Sequence, residues 1–386
     1  MPRHLAVLLT GCLLLVLAAC TGDDEPESGA DASETTSSDE PSTTTATTPS
    51  DSASEPAAGP PPVPQVASTI ATGLTSPWGL AFLPDGDALV AERDPALIQR
   101  VTAGGQVVTV GKVPGVDSVR SEEGGLLGLA LHPDFEQQPY VYVYFTTAED
   151  NRVARMRYEN GQLGTLAVVL DGIPAGDYHN GGRIAFGPDG MLYVTTGDAT
   201  ELGNAPDPGS LGGKILRVTP EGKPAPGNPD PGSPVLSLGH RNPQGIAWDD
   251  DERLWAAEFG QDTWDELNLI EPGSNYGWPD CEGRCDDDGV VDPKAQWGTD
   301  EASPSGIAYA DGAIWMAGLG GDRLWRIAVD GEEVVGEPKA FFTGEYGRLR
   351  TIEVAPDGSL WLTTSNTDGR GDPAPDDDRI LRVTLD

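Results

Sequence analysis

The sequence predicts an all-β, six-bladed β-propeller, on three observations. One phrase, an apolar strand, a Pro/Asp/Gly turn and a second strand, recurs six times. Turn formers are abundant, with 50 Gly and 34 Pro. No stretch carries the 3.6-residue apolar period of an amphipathic helix.

The phrase occurs as LAFLPDGDALVAE from Leu80, LALHPDF with YVYVYF from Leu129, and IAFGPDGMLYVTTGD from Ile184. It returns as IAWDDDERLWAAEFG from Ile246, IAYADGAIWMAG from Ile307 and IEVAPDGSLWLTTS from Ile352. Asp-Gly between alternating apolar runs is a hairpin signal. Six copies at intervals of roughly 45 to 60 residues match one hairpin-centred blade each. Six small sheets that bury their faces on one another solve a size problem. A stretch of this length exceeds what one thick core supports, so the alternative is two β-sandwich domains. The uneven spacing predicts long loops on some blades, where function tends to sit. The tryptophans in the blade strands, among them Trp78, Trp255, Trp315, Trp325 and Trp361, are expected to pack between sheets.

The N-terminus reads differently. A basic tip at Arg3 precedes an apolar run from Leu5 to Ala19, too short for a comfortable membrane span and typical of an export signal. It ends Leu17-Ala18-Ala19-Cys20, similar to a bacterial lipoprotein box in which Cys20 is lipidated. The other reading is an ordinary cleaved signal. Residues 21–65 form an acidic stretch rich in Ser, Thr and Pro, with ten acids and no Lys or Arg between Thr21 and Pro64. Such a segment buries too little surface to offset its ordering entropy, so it reads as a disordered stalk. The propeller is expected over residues 66–386, on a protein exported and anchored to the cell membrane only through its lipid.

The formal net charge is −38. That field repels nucleic acid and other polyanions. Cys281 and Cys285, four apart, are the cysteines left after the signal, and an oxidising compartment points to a local disulfide. A zinc site would need further soft ligands that are lacking.

Four loops carry candidate chemistry. Tyr178-His179-Asn180-Gly181-Gly182-Arg183 opens a hairpin that ends Thr196-Gly197-Asp198. An imidazole in a glycine-rich turn with a carboxylate at the far end of its hairpin suits an oriented general base. A surface histidine is the alternative. Gly239-His240-Arg241-Asn242-Pro243 presents a guanidinium and an amide on a stiff turn, fit for carboxylates or carbonyls of a planar ligand. A simple salt-bridged loop is the alternative. Glu258 to Glu266, followed by Asn275-Tyr276-Gly277-Trp278, combines carboxylates with glycine-exposed carbonyls, the hard oxygen donors calcium prefers. Gly347-Arg348-Leu349-Arg350 places two guanidiniums on one strand face, as an anion-holding rim would.

Together these segments resemble the glucose/sorbosone dehydrogenase family, which includes soluble quinone-dependent aldose sugar dehydrogenases. The motifs run in family order from TGLTSPWGLAFLPDG at Thr72 through EGGLLGLALHPDF, LGGKILRV and the WDELNLIEPGSNYGWP run to ILRV at Ile380. The resemblance implies pyrroloquinoline quinone (PQQ) and calcium as cofactors, an aldose substrate and an external electron acceptor. It implies His179 as catalytic base, Asp198 as its orienting acid and Arg241 as stabiliser of developing negative charge. It assigns quinone contacts to Glu123, Arg241, Asn242, Arg348 and Arg350. The Gly260 and Gln261 carbonyls resemble ligands of the quinone-bound calcium, and Glu266 with the Tyr276 carbonyl part of a second calcium site. Three positions depart from the pattern. Glu123 stands where a glutamine is common, Phe259 replaces another glutamine, and a lysine is missing near Leu319-Gly320-Gly321. One cation lost and one anion gained predict weaker cofactor binding. A propeller that only binds a glycan or protein partner is the competing reading.

Overall fold

The computed structural model describes residues 61–118 and 121–386. The export signal, Cys20 and nearly all of the acidic stretch lie outside them. Six antiparallel sheets form the propeller, each with four strands running outward from the axis. The innermost strands are Pro77–Phe82, Leu126–Leu131, Ile184–Phe186, Pro243–Trp248, Pro304–Ala310 and Leu349–Val354. They follow one another around the axis, the last packing on the first. Blades 2 and 5 each gain one additional two-residue strand, Gln162–Leu163 and Glu333–Val334. The single helical turn among the described residues is Leu202–Asn204.

The two chain ends close the ring. Pro64–Ala71, which starts just before the boundary expected at residue 66, pairs antiparallel with Ile380–Leu385 and so becomes the outer strand of blade 6. Ring closure leaves only short protected edges on each sheet.

Core packing explains how the chain forms one large unit without one thick core. Its buried apolar residues fall into six clusters, each shared by neighbouring blades. Between blades 4 and 5, for instance, Trp255 and Leu267 meet Ile307, Ile314 and Met316. The inner strands therefore need apolar residues on both faces, which is why the repeated phrase reads as apolar runs, while outer strands such as Val107–Lys112 are largely exposed.

At the axis the packing is polar. The Arg183 guanidinium donates to the Gln244 carbonyl at 2.9 Å, the Trp78 carbonyl at 3.5 Å and Thr351 Oγ1 at 3.0 Å. It also lies over the Trp78 ring, 4.2 Å from the centroid. Burial lowers Arg183 to about 10, so it stays cationic at neutral pH. Glu353 shares a strand face with Thr351. Burial pushes its carboxyl up to about 7, with the charge of Arg183 opposing.

Because the folded-state value of Glu353 is raised, the folded protein holds this proton between about pH 4.5 and 7 while the unfolded chain has released it. Stability from this group therefore falls as pH rises through that window. Glu353→Gln should raise the melting temperature relative to the parent at pH 8 and change it little at pH 4. Equal shifts at both pH values would contradict the assignment.

Candidate active site

The Pro/Asp/Gly turns and the candidate residues occupy opposite ends of the blades. Each turn joins a first strand to a second. His179, Arg241, Asn242 and Arg348 instead sit just before first strands, and Asp198 just after a second strand. His179, Arg241, Asn242 and Arg348 line a cavity of about 360 Å³ at one mouth of the axial channel, and Asp198 bonds to His179 from outside the lining.

His179 is the centre of the arrangement. Its Nδ1 lies 2.7 Å from Asp198 Oδ1. Asp198 is fully buried and accepts two more hydrogen bonds, from Thr200 N–H at 2.7 Å and Trp278 Nε1–H at 2.7 Å. Burial raises the Asp198 carboxyl, but the donors, His179 foremost, outweigh it and hold the group below the ordinary range. An ionised carboxylate can only accept, so the proton of the neutral imidazole belongs on Nδ1 and Nε2 keeps its lone pair. The His179 backbone is held in the left-handed region at φ 59°. Strain of this kind costs on the order of 1–3 kcal/mol and persists only where the surroundings enforce it. Here the His179 N–H donates to Glu123 Oε2 at 3.0 Å and its carbonyl accepts from Ala199 N–H at 3.1 Å. That carbonyl presses so close to Gly197 that no Cβ would fit there.

Arg241 lines the cavity beside His179. Its backbone is fixed at both ends, with the carbonyl accepting from Asp198 N–H at 2.8 Å and the N–H donating to Glu258 Oε2 at 3.1 Å. Its guanidinium lies over Trp278 and reaches the Phe259 carbonyl, while Nε is buried with no partner among the described residues. Burial lowers its pKa below the usual guanidinium value. Asn242 lines the same wall, and its Oδ1 accepts from Gly181 N–H at 2.9 Å, locking the turn that carries His179. Across the cavity Arg348 and Arg350 share Asp368 Oδ2, at 3.2 and 3.1 Å. Burial lowers Arg350 to about 9, still cationic at neutral pH.

Five arginines line the cavity, namely Arg93, Arg241, Arg348, Arg350 and Arg370, against the acids Glu123, Asp265 and Asp368. Burial pushes Asp265 up to about 6, against the backbone N–H groups of Gly260 and Ser303 that favour its ionised form. The cavity is therefore a cationic enclave in an acidic protein, suited to a small polyanion. The sequence expectation of lost positive charge counted Glu123 without its partner. Arg370 pairs with it at 2.9 Å, and Arg348 Nη1 donates to the Leu319 carbonyl, where the lysine is missing.

Gly260 and Gln261 also line the cavity. Their N–H groups are tied back to Asp265 Oδ1 and Glu282 Oε1, and among the described residues neither carbonyl accepts a hydrogen bond. Free carbonyls beside a carboxyl-bearing wall fit a hard divalent cation.

Glu266 and Tyr276 stand apart, behind the wall. Glu266 shares the amide of Asn268 with Glu258, and Asn268 Oδ1 is buried without a partner. Burial and the neighbouring Glu258 push Glu266 well above the ordinary carboxylate range. The Tyr276 ring stacks on His240, which contacts Glu258. No group of three or more His, Cys, Asp or Glu side chains is arranged to hold a metal among the described residues. An ion behind this wall would have to draw on amide and carbonyl oxygens as well. Cys281 and Cys285 are joined in a disulfide.

A sequence model of the Glucose / Sorbosone dehydrogenase family matches residues 74–381. The chain belongs to the glucose/sorbosone dehydrogenase family. It is an oxidoreductase of the sugar dehydrogenase class. The PQQ-bound aldose sugar dehydrogenase of Streptomyces coelicolor is 60% identical, with a TM-score of 0.82 over 84% of this chain and 98% of that one. The aldose sugar dehydrogenase of Escherichia coli is 28% identical over 77% of this chain and 89% of its own length. The quinoprotein glucose dehydrogenase B of Acinetobacter calcoaceticus is 34% identical over 58% of this chain and 54% of its own.

Reading the sequence alone misses Trp78, Trp278, Arg93, Arg370 and Asp368. The two tryptophans look like further packing residues, and only Trp278's bond to Asp198 reveals its work. Asp368 sits in the loop after the second strand of blade 6, an Asn-Thr-Asp-Gly stretch that reads as an ordinary turn.

The Asp198 geometry predicts the Nδ1–H tautomer for His179 at pH 8, readable from imidazole nitrogen shifts of labelled protein. Asp198→Asn should mix or invert the tautomers. An Nε2–H ring in the parent would contradict the arrangement.

Proposed function

We propose that the protein is a PQQ-dependent aldose sugar dehydrogenase that oxidises the anomeric carbon of its sugar to a lactone and passes the electrons to an external acceptor. The observation that carries this reading is the oriented His179–Asp198 pair facing a cavity ringed by guanidiniums. The relatives' quinone-dependent chemistry supports it.

When bound, PQQ would accept the hydride from the sugar, with calcium polarising its reactive carbonyl. Arg348 and Arg350 would hold the cofactor's carboxylates, supported by Asn242 and by Glu123 through its pair with Arg370. The Gly260 and Gln261 carbonyls would hold calcium, and the Glu266 and Tyr276 region a second calcium. His179 Nε2 removes the proton from the anomeric hydroxyl, and Asp198 stabilises the imidazolium that results. Arg241, with one buried N–H unpartnered, stabilises negative charge developing on oxygen. The aliphatic edge of Leu319 and the ring of Phe259 line the same cavity and limit water around these groups.

The test is reconstitution of purified protein with PQQ and calcium, followed by dye reduction across a panel of aldoses. Turnover with at least one aldose is expected. Saturable binding of a glycan with no turnover on any sugar would favour the binding-propeller reading instead.

His179→Ala should lose about 10²- to 10⁴-fold in aldose oxidation while keeping PQQ affinity. Arg348→Ala should weaken PQQ affinity first, as measured by fluorescence or calorimetric titration. The opposite pattern would overturn the assigned roles.

We further propose that Cys20 carries a lipid that holds the exported protein at the cell membrane. Support comes from the Leu-Ala-Ala-Cys sequence and the acidic stretch behind it. Cys20→Ser should move the protein from the membrane fraction to the soluble fraction, and unchanged association would contradict the anchor.

A further inference from the structure

Glu282 lies outside the cavity lining, yet one of its oxygens gathers four successive backbone N–H groups. Oε1 accepts from Gln261 at 2.7 Å, Asp262 at 2.9 Å, Thr263 at 2.8 Å and Trp264 at 3.1 Å. Successive amides turned toward one anion form a backbone nest, and hydrogen bonds to a carboxylate are roughly twice as strong as neutral ones. Burial pushes the Glu282 carboxyl up, but the four donors prevail and hold it below its ordinary value.

The nest belongs to the loop that presents Gly260 and Gln261 to the cavity. That loop has little else to fix it, since the side chains of Gln261, Asp262 and Thr263 are exposed. Glu282 approaches so closely that a Cβ on Gly260 would sit 2.7 Å from its Oε1. Glu282 is itself held, because it lies inside the ring closed by the Cys281–Cys285 disulfide. That ring is pinned to the fold by Cys281 N–H on the Gly277 carbonyl at 2.9 Å, Gly283 N–H on Glu266 Oε1 at 2.7 Å and Cys285 N–H on Asp292 Oδ1 at 2.9 Å.

We propose that Glu282, held in place by the Cys281–Cys285 ring, is a positioning residue that fixes the loop carrying the Gly260 and Gln261 carbonyls and thereby sets how tightly the cavity wall binds a divalent cation. The metal half of this statement rests on the calcium reading above; the loop half does not. Glu282 touches no reacting group. It acts through the loop backbone, as outer-layer partners of metal ligands do, whose loss typically weakens metal binding about 10- to 100-fold. The disulfide makes the wall dependent on oxidation, since opening the ring frees the residue that clamps the nest.

The test uses the mature folded protein without quinone, with two readouts. Amide hydrogen exchange is followed at Gln261 to Trp264 in metal-free protein, and calcium chloride affinity is measured by calorimetry. Glu282→Ala should speed exchange at these amides by about tenfold or more and weaken calcium binding by about 10- to 100-fold. Glu282→Gln, which keeps an acceptor oxygen but not the charge, should fall between Ala and the parent. The Cys281→Ser/Cys285→Ser double variant should shift in the same direction as Glu282→Ala. Asp288→Ala, which removes an exposed carboxylate three residues beyond Cys285, should match the parent. Parental exchange in Glu282→Ala would overturn the proposal, as would equal weakening by Asp288→Ala, which would make the effect one of charge alone. If the parent binds no calcium, the metal reading itself fails, and the exchange data alone decide whether Glu282 fixes the loop.

Discussion

The arginine at the propeller axis holds the site together. Arg183 leads into blade 3 and reaches Trp78 in blade 1, Gln244 in blade 4 and Thr351 in blade 6. Inner strands of a propeller expose backbone and side-chain acceptors toward a narrow channel, and each buried acceptor left unsatisfied costs about 1–3 kcal/mol. One planar cation with several fixed donors meets three of them at once, and the face of Trp78 supplies a fourth contact. A lysine could not reproduce that fork.

The axial group also carries the floor of the cavity. Trp78 lies between Arg183 and Arg350, with the second guanidinium 5.8 Å from its ring. Gln244 gives its carbonyl to Arg183 and its side-chain oxygen to Arg350 and to Ser305 of blade 5. The arginine rim is thus rigid because it is bonded to the same residues that hold the blades in register. Local charge decides what the cavity attracts. At physiological ionic strength charges are screened over about 8 Å. The acidic surface is therefore muted at the cavity, whose own guanidiniums outnumber its carboxylates.

Much of this was legible in the sequence. The blade count came from the repeated hairpin, and His179, Arg241 and Arg348 stood out because a protein with 24 Lys and Arg and 4 His places each of them in a turn rich in glycine or proline. The structure brings these three to one mouth of the channel. What stayed hidden was pairing across blades. Arg370 neutralises Glu123 from more than 200 positions away, and Trp278 reaches Asp198 from a different blade. Neither pairing has a local signature, since each joins loops of different blades. Trp78 read as packing because a tryptophan at an axial position and one between sheets have the same apolar neighbours in sequence.

Under the proposed function, one cavity, built on the axial arginine and walled by guanidiniums, receives the quinone beside His179. The most direct test is a crystal structure of the protein grown with PQQ and calcium, with anomalous scattering to locate the metal. Quinone density is expected in the cavity in contact with Arg241, Arg348 and Arg350, with a calcium peak at the Gly260 and Gln261 carbonyls. An empty cavity at saturating quinone, or quinone bound at another surface, would contradict it.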